Sequence, residues 1–82
     1  MKITVKLFGR YKDIAGRDNI QFDITDDTTI RDIVNAFIKQ YPVVEKDKGH
    51  MMVIKNNIYT SYDTMVSKED EIALSPPVVS GG

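Results

Sequence analysis

Between Thr29 and Pro42 runs the longest regular apolar pattern of the chain. Ile30, Ile33, Val34, Phe37, Ile38 and Tyr41 recur at i, i+3, i+4, i+7, i+8 and i+11, the spacing that gathers side chains on one face of an α-helix. Thr29 and Asp32 make a capping-box pattern at its start, with the Asp32 charge at the favourable end of the helix dipole. Pro42 stops it, because the residue before a proline is pushed out of helical backbone angles. The spacing predicts a helix over residues 30–40. Its single apolar stripe needs a flat apolar partner, and the rest of the chain must supply that as a sheet.

The flanking segments alternate with period two. Ile3, Val5 and Leu7 oppose Lys2, Thr4 and Lys6, which predicts a half-buried strand over 2–8. Gly9 breaks it, and residues 10–16 read as a connection with room for one helical turn. Ile20, Phe22 and Ile24 define a second strand over 19–25, antiparallel to the first. Beyond Pro42, residues 43–50 mix charges with Gly49 and read as a loop. Met51-Met52-Val53-Ile54 is a short apolar strand; Asn56-Asn57 tolerates the positive φ of a tight hairpin turn, and 58–60 returns beside it. A polar connection over 63–70 leads to the last strand, 71–75. The order strand, strand, helix, strand, strand, strand packs as one mixed sheet on one helix, a two-layer α+β domain.

A chain of 82 residues, 41% hydrophobic and 28% charged, has room for one small domain. Such a domain buries only roughly 60% of its unfolded surface, so the core must draw on nearly every apolar residue. The formal net charge of −1, from 11 basic and 12 acidic residues, gives no footprint for nucleic acid or an anionic membrane. The absence of cysteine removes disulfides, a thiolate nucleophile and cysteine metal sites, and fits a reducing cytoplasm. No long apolar run follows Met1-Lys2-Ile3-Thr4, so neither a signal peptide nor a transmembrane helix is expected.

Side-chain chemistry finds little support. His50 is the only histidine, with no cysteine and no clustered carboxylates near it to make a metal set or a nucleophile–base pair. Asp26-Asp27 and Glu69-Asp70-Glu71 flank regular elements, where solvated turns also want such residues. Gly9 and Gly16 are too far apart for a phosphate-cradling loop. Met51 and Met52 read as core filler, although one of two adjacent strand residues must face outward. Chemistry would then lie at the chain's end or in a partner. In Leu74-Ser75-Pro76-Pro77-Val78-Val79-Ser80-Gly81-Gly82 the paired prolines favour an extended exit. Gly81 and Gly82 carry no side chain to block a narrow channel. The residues alone leave open a frayed tail or a terminus threaded into another protein's active site.

Several stretches together carry a resemblance: Leu7-Phe8-Gly9-Arg10-Tyr11-Lys12-Asp13-Ile14-Ala15-Gly16, Thr28-Thr29-Ile30-Arg31-Asp32, Asp70-Glu71-Ile72-Ala73-Leu74-Ser75-Pro76-Pro77-Val78 and the final Gly81-Gly82. The chain resembles, over nearly its whole length, the MoaD family, the small sulfur-carrier subunit of molybdopterin synthase within the wider MoaD/ThiS group. Asp-Glu-Ile-Ala followed by Pro-Pro-Val and Gly-Gly is the most specific part. The stretch after the prolines is one residue longer than the family's usual tail, and Glu69 stands where a glycine is common.

The resemblance implies a ubiquitin-like β-grasp domain over 1–76 and a flexible Gly-Gly tail over 77–82. It implies a carrier without catalytic activity of its own, holding no permanent cofactor and no metal. The Gly82 carboxylate would be adenylated with ATP by an E1-like adenylating enzyme, then converted by a sulfur donor to a thiocarboxylate. Gly81 would help thread it into the large subunit of molybdopterin synthase, where its sulfur attacks a pterin precursor of the molybdenum or tungsten cofactor. Docking would use an apolar patch near the tail, with Phe8, Met52, Leu74, Pro76, Val78 and Val79 as candidates. Two other readings stay open. One is a protein modifier joined to lysine amines, or a sulfur carrier for tRNA thiolation or thiamine synthesis; the other is an interaction domain with an inert tail.

Overall fold

The computed structural model describes residues 1–77. Strand β1 (Lys2–Leu7) buries Ile3, Val5 and Leu7 and exposes the residues between them. Strand β2 (Asn19–Asp23) lies antiparallel to it, pairing Ile3 with Phe22 and Val5 with Ile20, so both apolar rows fall on one face. Helix α1 (Arg10–Ala15) joins them, and helix α2 (Ile30–Gln40) follows β2. A hairpin of β3 (Met52–Lys55) and β4 (Ile58–Tyr59) comes next, and β5 (Ile72–Ser75) enters last. The sheet order is β2-β1-β5-β3-β4, with β5 parallel to β1 and antiparallel to β3. This mixed sheet wrapped on α2 is the ubiquitin-like β-grasp.

Helix α2 has the bounds its sequence pattern predicts. The Thr29 Oγ1 accepts from the Asp32 backbone N–H at 3.4 Å while the Asp32 carboxylate accepts from the Thr29 N–H at 3.0 Å, closing the capping box. Its buried face places Ile30, Ile33, Val34 and Phe37 against the sheet. The Asn56-Asn57 turn is as expected, with φ of 53° and 70°. Asn56 also ties the hairpin to β5. Its N–H donates to the Glu71 carbonyl at 2.8 Å, its Oδ1 accepts from the Glu71 N–H at 2.9 Å, and its Nδ2 donates to the Asp70 carboxylate at 3.0 Å.

Two segments are more ordered than their sequence suggests. Residues 10–16, expected as a connection with room for one helical turn ending at a glycine, form the six-residue α1, capped by Gly16 at φ 72°, whose N–H donates to the Lys12 carbonyl at 2.8 Å. Residues 43–50, expected as a loop, largely form a 3-10 helix, Pro42–Asp47, that buries Val44 and Asp47. These two elements hold each other. Tyr11 is buried edge-to-face on Phe37, ring centroids 5.2 Å apart, and its hydroxyl donates to the Asp47 carboxylate at 2.7 Å. The Arg10 guanidinium pairs with the same carboxylate. A buried carboxylate needs such donors to offset its lost hydration. Burial and the facing Asp47 charge push the Tyr11 phenol well above its usual range, keeping it a donor.

Candidate functional site

The strand that leads into the tail is the centre of the sheet. β5 lies between β1 and β3, so the chain leaves the domain from a strand paired on both edges. Ile72 and Leu74 are buried on the core face of β5, and Ala73 between them, on the other face, is 8% exposed. Leu74, expected in an exposed docking patch, is fully buried: it pairs with Leu7 and Val53 on the core face and contributes packing instead of a contact surface.

Cross-strand register defines the opposite, outward face. Ala73 is paired with Lys6 on one side and Ile54 on the other, and Ile54 is paired in turn with Tyr59. One step towards the tail, Ser75 is paired with Met52. Phe8, the next residue after Leu7 in an extended chain, reaches the same row; its N–H donates to the Leu74 carbonyl at 3.0 Å. Phe8 is 45% exposed and Tyr59 67% exposed, while Met52 and Ile54 are half-buried. Phe8, Ile54 and Ala73 line a shallow depression with Lys6, Asn57 and Glu71 at its margin. The result is an apolar stripe at the base of the tail with charges of both signs beside it, an arrangement suited to docking a protein surface.

Of the residues singled out from the sequence, the structure brings Phe8 and Met52 to this face and leaves Pro76 half-buried at its end. Val78, Val79, Gly81 and Gly82 lie outside the described residues. Ile54, Ala73 and Tyr59 were not foreseen. Alternation marks them only once the register across β1, β5 and β3 is known.

Gly9 joins the site from the end of β1. Its φ of 59° and ψ of −140° are open to glycine and costly for any L side chain. A Cβ there would stand 3.3 Å from both the Cδ and the Cγ of Pro76. The β1–α1 turn therefore rests directly on the first proline of the tail.

Elsewhere, His50 is exposed, and among the described residues no three His, Cys, Asp or Glu side chains gather to hold a metal. Among them too, no helix is long and apolar enough to cross a membrane.

Comparison with known proteins agrees with this fold. Residues 5–82 match the ThiS family. The chain is 32% identical over 85 residues to small archaeal modifier protein 1 of Haloferax volcanii, covering 94% of this chain and 97% of the relative. It is 31% identical over 84 residues to the molybdopterin synthase sulfur carrier subunit of Dictyostelium discoideum, covering 99% and 96%. The crystal structure of SAMP1 from Haloferax volcanii superposes with a TM-score of 0.80 at 30% identity, over 100% of both chains.

Proposed function

The chain belongs to the ThiS family, and from that membership we propose that it is a ubiquitin-like sulfur carrier whose cargo rides on Gly82 as a C-terminal thiocarboxylate for molybdenum or tungsten cofactor synthesis. The observation that carries the reading is the reach of the family match, which runs from residue 5 through the final Gly81-Gly82. The Dictyostelium relative, named as a sulfur carrier subunit of molybdopterin synthase, supports the choice of pathway.

The chemistry follows from the weakness of a carboxylate as an acyl donor. A Gly82 carboxylate oxygen attacks the α-phosphorus of ATP in an E1-like adenylating enzyme, and pyrophosphate leaves. Sulfide delivered by a sulfur donor then adds to the mixed anhydride and expels AMP, leaving a thiocarboxylate. Its sulfur is a soft nucleophile for the pterin precursor held by the large synthase subunit. The carrier supplies the sulfur and the docking face, and the large subunit supplies the catalytic pocket.

The Haloferax relative favours a second reading, in which the activated Gly82 is joined to lysine amines of other proteins. Both readings need a free, activatable Gly82 carboxylate.

Adding one residue after Gly82 tests this. The extended protein should fold normally, since no core contact is touched, yet give no adenylate and no mass change from oxygen-to-sulfur exchange when incubated with ATP, the cognate activating enzyme and a sulfur donor. Unaltered loading and transfer by the extended chain would refute the carrier reading.

A further inference from the structure

We propose that Gly9 is a positioning residue for the sulfur-bearing end: by lacking a side chain it lets Pro76 seat against the β1–α1 turn, and that seat sets the direction in which the tail leaves the docking face. The inference rests on the carrier reading above and names a residue that acts on the terminus through Pro76.

Three observations converge on this turn. The Phe8 N–H bonds to the Leu74 carbonyl at 3.0 Å, continuing the β1–β5 pairing to the edge of the tail. Gly9 follows at φ 59° and ψ −140°, a conformation that turns its backbone towards the departing strand. The Pro76 ring packs close beside it: a Cβ at position 9 would stand 3.3 Å from both Cδ and Cγ, so the ring would have to shift by a few tenths of an ångström to admit it.

This contact matters because a carrier must satisfy two fits at once. Its outer face docks on the partner while its end enters a channel in that partner, so the angle between them has to be correct before the last residue arrives. Pro76 and Pro77 are stiff at φ, and they pass a tilt at their base along the chain. Misplacement of a reacting atom by about 1 Å can cost ~100-fold in rate.

The test compares wild type with Gly9→Ala, Pro76→Ala and the double variant. Each is followed by circular dichroism, by the nuclear Overhauser contact between Gly9 Hα and the Pro76 ring where both are present, and by kcat and KM for thiocarboxylate formation with the activating enzyme. Wild type should show the contact. Gly9→Ala should stay folded and lose at least tenfold in kcat with KM within about threefold, because the docking face is untouched. Pro76→Ala, which keeps the fold whatever happens at position 9, should lose about threefold. The double variant, with no ring for the new methyl to push, should recover to the level of Pro76→Ala.

A Gly9→Ala protein loaded like wild type overturns the proposal, as does a loss that removal of the ring fails to restore, since that loss would come from backbone strain alone. If Gly9→Ala does not fold, an unchanged kcat in Pro76→Ala overturns it. A folded wild type that is never loaded defeats the carrier reading and this inference with it. A loaded wild type with an equally loaded Gly9→Ala defeats this inference only.

Discussion

At the scale of single residues, Asp70 shows how a turn acid becomes structural. Its carboxylate accepts from the Ser67 backbone N–H at 2.8 Å and from the Asn56 side chain at 3.0 Å, with Lys55 3.8 Å away. The Ser67 hydrogen bond, the Asn56 hydrogen bond and the Lys55 charge hold its carboxyl below the usual carboxylate range. A carboxyl lowered on folding adds stability above its unfolded value of about 3.9, and that contribution is lost as pH falls through the lower folded value. Asp70→Asn should therefore cost ~0.5 to 1.5 kcal/mol at pH 7, and the gap to wild type in urea melts should narrow towards pH 3. An equal gap at both pH values would locate the effect in packing instead of charge. In the sequence, Glu69-Asp70-Glu71 reads as a solvated turn, because nothing local shows that Asn56, fourteen positions earlier, faces Asp70.

At the scale of elements, helix α2 was fully legible, α1 only as a connection with room for one turn, and the 3-10 helix not at all. Capping residues, stripe and stop signal all lie within a few positions of one another, so local rules reach its true bounds. Helix α1 and the 3-10 helix depend on partners distant in the chain: Tyr11 on Phe37 and Asp47, and Asp47 on Arg10 and Tyr11. Phe37 is the shared centre, buried completely, with Tyr11 and Tyr41 ring centroids at 5.2 and 5.4 Å. Phe37→Ala should cost about 3 to 5 kcal/mol and loosen both short helices together. Hydrogen exchange should show residues 10–16 and 42–47 losing protection first. A change below ~1 kcal/mol in denaturant melts would contradict this packing.

At the scale of the whole molecule, the strand order puts the base of the tail beside the apolar outer face. Phe8 stands on that face and is 45% exposed, so Phe8→Ala should alter stability by less than ~1 kcal/mol. It should weaken binding to the cognate activating enzyme about tenfold, which is ~1.4 kcal/mol. Calorimetric titration that finds no change would place the docking surface elsewhere. The alternating segments and the long helix were readable from the sequence, because each is specified by neighbours in the chain. Which face of β5 looks outward was not. Leu74 and Ala73 are adjacent apolar residues, and only insertion of β5 between β1 and β3, in the register Leu7 to Leu74 and Ile54 to Ala73, sends the first into the core and the second to the outward face. The seat of Pro76 on Gly9 was equally invisible, since a contact across 67 positions exists only when the parallel β1–β5 pairing brings the two ends of the chain together.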